Sequence, residues 1–180
     1  VLDPIKGKTV FGMSMVVAGN KTLFISDTTV HELPSPEELA NIAIQTAAKA
    51  KEFGFEPRVA LLSFSNFGAP MREKAQRIRE AIQILDKKKV DFEYDGEMSP
   101  DVALNPELMK LYPFCRLSGP ANVLIMPALH SANIASKLIQ ELGNATVVGP
   151  ILLGLEKPAQ IIQMGAKVSD IINAAALASI

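Results

Sequence analysis

Short apolar runs rich in β-branched residues alternate with amphipathic segments of helical period along almost the whole chain, and this alternation constrains the fold more than any single motif. The stretch "KTVFGMSMVVAGNKTLFIS" holds two strand-like runs joined at Gly19-Asn20, which predicts a hairpin ending at Asp27. In "LPSPEELANIAIQTAAKAKEFG", Ser35 is placed to cap a helix, Pro36 to open it, Glu38 to complete a capping box and Gly54 to end it. Leu39, Ile42, Ala43, Ala47 and Ala50 then share one face. "PRVALLSF" is a continuous apolar run, as expected of a central strand covered on both sides. "MREKAQRIREAIQILDKKK" follows as a helix with Ala75, Ile78, Ile82 and Leu85 on one side. The order continues as strand "VDFEYDGEM", helix "SPDVALNPELMKLY", strand "ANVLIMP", helix "SANIASKLIQELG" and strand "ATVVGPILL", with a last helix from about Lys167 to Ile180. Such a succession predicts an α/β fold: a three-layer α/β/α sandwich around a mostly parallel sheet, with the antiparallel hairpin at one edge.

Charge excludes one class of partner. With 18 basic against 19 acidic residues and a net charge of −1, the chain has no electrostatic surplus for nucleic acid or acidic membranes. Cys115 is the single cysteine, so an internal disulfide framework and a thiolate zinc site are both excluded; it reads as a small apolar filler rather than a reactive thiol. No apolar run approaches the ~20 residues of a membrane span, and the N-terminal stretch lacks a secretory pattern. The expectation is a soluble, cytoplasmic protein, and Val1 in place of Met suggests a piece of a longer one.

In open α/β sheets ligands gather at the carboxyl ends of the strands, so the loops there hold the candidate site. After "VALLSF", Ser65-Asn66-Phe67-Gly68 offers hydroxyl, amide and backbone N–H groups to an anion, or is an ordinary strand-to-helix turn. After "DFEY", Asp95-Gly96-Glu97 pairs carboxylates that suit acid–base work, metal binding or plain capping, with capping the simpler reading. His130 and Asn133 flank the start of the helix after Pro127, and His31 follows Asp27; neither histidine has a partner at ligand spacing, so both read as surface or capping residues. Gly149-Pro150 and Gly154 permit close backbone approach to a ligand, or form a turn. Phosphate loops, dinucleotide fingerprints, zincin motifs and nucleophile elbows are all absent.

The succession "FEPRVALLSFSNFG", "DGEMSPDVAL", "SGPANVLIMPALHSANIASKLIQELG" and "VVGPILLGLEKP" resembles the phosphate acetyltransferase (phosphotransacetylase) family across nearly the whole chain. More narrowly, "DTTVHELPSPEELANIAIQTA", "LSFSNFGAP", "YPFCRLSGPANVL" and Gln-Met-Gly near the end are similar to the variant domain at the C-terminus of bacterial hybrid NADP-dependent malic enzymes. The resemblance implies a fold related to isocitrate and isopropylmalate dehydrogenases. Residues 1–160 would form the second subdomain, and 161–180 a helix completing a first subdomain that lies upstream.

In active members the resemblance implies a Ser-Arg-Gly triplet, the Ser a hydrogen-bond donor and the Arg an anion clamp, followed by an aspartate acting as base toward the coenzyme A thiol. Gln163, Met164 and Gly165 occupy the triplet here, and Asp170 the acid position. Phe67 stands where the family has a lysine. The resemblance therefore implies a domain without catalytic residues that keeps an acetyl-CoA pocket formed by Ser63, Ser65, Asn66, Asn133, Gly149 and Pro150, as an allosteric sensor. It implies no cofactor in this domain; NADP and a divalent metal, Mg or Mn, would serve the upstream malic-enzyme domain. A working phosphate acetyl- or butyryltransferase and a ligand-free oligomerisation platform are the alternatives. A two-fold dimer through the "ANVLIMP" to "GPILL" half is also expected, in keeping with a mean hydropathy of +0.21.

Overall fold

The computed structural model describes residues 2–179. A hairpin of β1 (Phe11–Ala18) and β2 (Lys21–Ser26) is followed by α1 (Pro36–Glu52), β3 (Arg58–Leu62), α2 (Glu73–Lys88) and β4 (Glu93–Met98). Two short helices, α3 (Pro100–Leu104) and α4 (Pro106–Met109), lead to β5 (Val123–Ile125), α5 (Leu129–Leu142), β6 (Thr146–Leu153), β7 (Ala159–Gln160) and α6 (Val168–Ala178).

The strands form one sheet in the order β4-β3-β5-β2-β1-β6-β7. Pairings from β4 to β2 are parallel, whereas β2–β1, β1–β6 and β6–β7 are antiparallel. The expected edge position of the hairpin is therefore corrected: it lies in the middle of a mixed sheet. The reason is that β1 would otherwise leave a row of unpaired backbone groups, and the C-terminal strand β6 returns to pair with it.

Helices cover both faces. Alternate residues of β3 point to opposite layers: Val59 and Leu61 join Phe24, Ile42 and Ile78 under α1 and α2, while Ala60 and Leu62 join Val102, Met109 and Leu124 on the other side. The expected apolar faces of α1 and α2 are buried. The capping box of α1 is formed as expected: the Ser35 hydroxyl accepts from the Glu38 N–H, and a Glu38 carboxylate oxygen accepts from the Ser35 N–H at 2.7 Å.

The single helix expected over "SPDVALNPELMKLY" is two, because Pro106 cannot donate within a continuous helix and instead opens α4, with Asn105 capping it. Gly149 and Pro150 lie inside β6, as the strand reading of "ATVVGPILL" expected, and not in a turn at its end. Met13 pairs with Ile151 and Met15 with Val148, so the two residues stand opposite Ser14 as a bulge. Gly149 has φ +123°, and a Cβ there would lie 2.9 Å from the Met13 carbonyl oxygen, which favours glycine.

Candidate functional site

Asp95, Gly96 and Glu97 lie within β4, as the strand reading of "VDFEYDGEM" expected, and not in a loop after "DFEY". This position buries Glu97 completely, at 0% exposure. Its Oε1 accepts from the Ser65 hydroxyl (2.9 Å), the Gly68 N–H (2.9 Å) and the Arg79 guanidinium (2.8 Å). Oε2 has no hydrogen-bond partner among the described residues. The Glu97 carbonyl accepts the Phe67 N–H, and the Ser63 hydroxyl lies 3.4 Å from that of Ser65. Asn66 Oδ1 accepts both the N–H and the hydroxyl of Ser99, fixing the entry to α3. Ser63, Ser65 and Asn66 are thus brought together, and the loop after β3 is pinned to the end of β4. Phe67, at a left-handed φ of 50°, packs its ring 5.2 Å from Tyr112 and 5.1 Å from Phe114.

A second carboxylate, missed in the list of candidates, organises the loop after β2. Asp27 accepts the N–H groups of Gly12 (3.0 Å), Thr29 (2.7 Å) and His31 (2.7 Å), and lies 2.8 Å from His31 Nδ1. The signal was present in the sequence: an aspartate closing a strand, followed by "TTVH", is the pattern of an Asx-type turn. His31 Nε2 in turn lies 3.6 Å from Glu38, so this histidine ties the loop to the start of α1.

The triplet and acid positions meet elsewhere. Gly149, Gln163 and Asp170 line one cleft of about 380 Å³ between β6, β7 and α6, together with Gln140, Lys167 and Asn173. Asp170 occupies the first turn of α6, where its Oδ2 accepts the Lys167 N–H at 2.8 Å, a cap at the positive end of the helix dipole. Met164 is fully exposed, and Pro150 follows Gly149 in the β6 bulge. Asn133 and His130 are both exposed on α5 and line neither this cleft nor the Glu97 cluster. The site residues expected from the sequence are therefore divided among the β3 loop, the α5 surface and the β6–α6 cleft.

The cleft's chemistry is that of carboxamides. Gln140, Gln160, Gln163 and Asn173 present both donors and acceptors, and Lys167 is the one cationic side chain among its described lining residues. No described set of three His, Cys, Asp or Glu side chains converges to hold a metal ion. Burial pushes the Cys115 thiol above its ordinary range, consistent with a filler against the second core layer.

Comparison with known proteins follows the same lines. The chain is 54% identical over 178 residues to an NADP-dependent malic enzyme of Rhizobium meliloti, covering 99% of this chain but 23% of that protein. It is 36% identical over 169 residues to a phosphate acetyltransferase of Bacillus subtilis, covering 93% of this chain and 52% of that protein. A phosphotransacetylase structure from Streptococcus pyogenes superposes with a TM-score of 0.94 at 32% identity, over 99% of this chain and 56% of that one. Because residues 3–179 match the phosphate acetyl/butaryl transferase family, with the fold of its solved members, the chain belongs to that family.

Proposed function

We propose that this chain is a regulatory, non-catalytic phosphotransacetylase-like region at the C-terminus of an NADP-dependent malic enzyme, and that it senses acetyl-CoA. The observation that carries the reading is the β6–α6 cleft, where Gln163 lines the wall at the position that the resemblance gives to a hydroxyl donor, while Met164, at the position of the guanidinium clamp, is exposed outside the lining. Transfer from an acyl phosphate needs fixed positive charge near the developing negative charge, and removing such a contact typically costs about 3–4 kcal/mol of transition-state stabilisation. The carboxamides that line the cleft suit the neutral amide groups of a coenzyme A arm. The similarity to malic enzymes extends over 99% of this chain.

On this reading Ser63, Ser65, Asn66, Asn133, Gly149 and Pro150 frame the coenzyme. The buried hydroxyls set the shape of the β3 loop, Gly149 lines the cleft, and Asn133 stands on α5 about two turns before the cleft residue Gln140, on the same face and so at the approach to the cleft. Malate oxidation, with NADP and a divalent Mg or Mn ion, belongs to residues outside this chain. The division at residue 160, kinship with isocitrate and isopropylmalate dehydrogenases, a cytoplasmic location and a two-fold dimer are part of the same proposal. Among the described residues no helix is long and apolar enough to cross a membrane.

The retained Asp170 favours a second reading, a working acyltransferase with an altered site. Two measurements on the intact protein separate them. Acetyl-CoA at about a hundred times its dissociation constant should stabilise the folded state by roughly 2.7 kcal/mol, seen as a raised melting temperature. It should also shift an apparent constant for malate oxidation by roughly 5- to 150-fold. Asn133→Asp, which sets a negative charge toward the coenzyme's phosphates, should weaken both responses. Robust exchange between acetyl phosphate and coenzyme A would establish the acyltransferase instead, and identical responses of wild type and variant would refute the sensor.

A further inference from the structure

The amino edge of the sheet carries a second cavity, at the opposite end of the strands from the β3 loop. Phe24, Val123 and Val59 stand side by side in the parallel ladder of β2, β5 and β3. The row one residue earlier, Leu23, Asn122 and Arg58, opens on a cavity of about 230 Å³ whose remaining wall includes Lys21, Phe55 and Leu104. The length of β3, on the order of 16 Å at about 3.3 Å per residue, separates it from Ser63.

Its electrostatics are one-sided. The chain has a net charge of −1, yet the cavity wall carries Lys21 and Arg58 and no carboxylate. Among the described residues neither cation takes part in an ion pair. Arg58 Nε donates to the Pro120 carbonyl at 2.7 Å, which fixes the plane of the guanidinium. Its terminal amino groups make no hydrogen bond to any described residue. Asn122 is not free to adapt, since its Oδ1 accepts the Arg58 N–H at 2.7 Å and its Nδ2 donates to the Glu56 carbonyl at 2.8 Å. Beside this rigid polar rim, Leu23, Phe55 and Leu104 supply an apolar wall.

We propose that this cavity binds a short-chain carboxylate, its head on the Arg58 amino groups and Lys21 and its alkyl tail against Phe55 and Leu104. A guanidinium with its plane fixed matches a planar carboxylate through paired N–H donors. The apolar wall gives a tail a place that a bare inorganic anion cannot use. The volume is below the roughly 300–1,000 Å³ of pockets for drug-sized ligands, so the occupant is a small acid and not a coenzyme. The site is separate from the acetyl-CoA reading and does not depend on it.

Calorimetric titration of butyrate into the intact protein, with inorganic phosphate as the comparison anion, tests the proposal. Butyrate should bind saturably and at least tenfold more tightly than phosphate. Lys21→Glu and Arg58→Lys should each weaken it at least tenfold. Arg58→Lys also removes the tie to Pro120, so Lys21→Glu, at an exposed position without internal hydrogen bonds, is the deciding variant. Absence of saturable butyrate binding, phosphate binding of equal strength, or unaltered butyrate binding by Lys21→Glu would each overturn the proposal.

Discussion

Glu97 gathers three donors on one carboxylate oxygen, from a hydroxyl, a backbone N–H and a guanidinium, all within 2.8–2.9 Å. Their number explains why a fully buried acid is tolerated between β3 and β4. Glu97→Ala would leave the Arg79 guanidinium and the Ser65 hydroxyl facing an apolar gap, and breaking a buried pair in this way typically costs about 3–5 kcal/mol. The expected result is a lowered denaturant midpoint with loosening of the β3 loop. Glu97→Gln retains an acceptor of the same shape, so its midpoint should fall between wild type and Glu97→Ala. Equal midpoints for Glu97→Ala and wild type would remove the network from any structural role.

The cap of α1 gives the helices a prediction with a pH signature. The Ser35 N–H donates to Glu38, and this backbone hydrogen bond is the largest influence holding the Glu38 carboxyl below its ordinary 4.5, with smaller help from the Ser35 hydroxyl and His31. A depressed folded-state value means stability that is present above pH 4.5 and lost as pH falls through the lowered value. Glu38→Gln should therefore be less stable than wild type at neutral pH and converge with it in acid. Ser35→Ala should cost about 1 kcal/mol in chemical denaturation. This cap was legible in the sequence because every interaction in it spans three residues. So were the hairpin turn at Gly19-Asn20 and the buried faces of α1 and α2, which follow from local period alone. The central place of the hairpin was not legible, because it is decided by β6, more than a hundred residues later, pairing with β1. Gly96 and Gly149-Pro150 suggested loops by composition although the strand readings ran across both: the β3–β4 ladder includes Gly96, and β6 passes Gly149-Pro150 as a bulge. The Asn-Pro step at Asn105-Pro106 was a readable break passed over for the longer helical period. The candidate site divided for a related reason: loops that follow one another in the sequence end up at different heights and edges of the sheet.

Two helices leave apolar surface uncovered in the molecule as a whole, and the proposed assembly assigns them different partners. On α5, Ile134, Leu138 and Leu142 recur every fourth residue, all exposed, the last at 81%. Within the half expected to form the dimer, this stripe is the surface a two-fold contact would bury. Leu138→Glu should convert a dimer to a monomer in light scattering at micromolar concentration; a wild-type protein that is already monomeric there would rule the contact out. On α6, no described residue is buried, and Val168, Ile171 and Ile172 are exposed although Leu177 reaches the first core layer. A helix this apolar draws its stability from packing rather than propensity. If it completes an upstream subdomain, its amides should exchange quickly in the 180-residue chain and at least tenfold more slowly in the intact protein, with β3 and β5 protected in both. Because α5 and α6 are separate surfaces, Leu138→Glu should leave the α6 protection of the intact protein unchanged. Slowed α6 exchange that disappears in Leu138→Glu would instead show that the dimer contact, not the upstream half, covers the last helix.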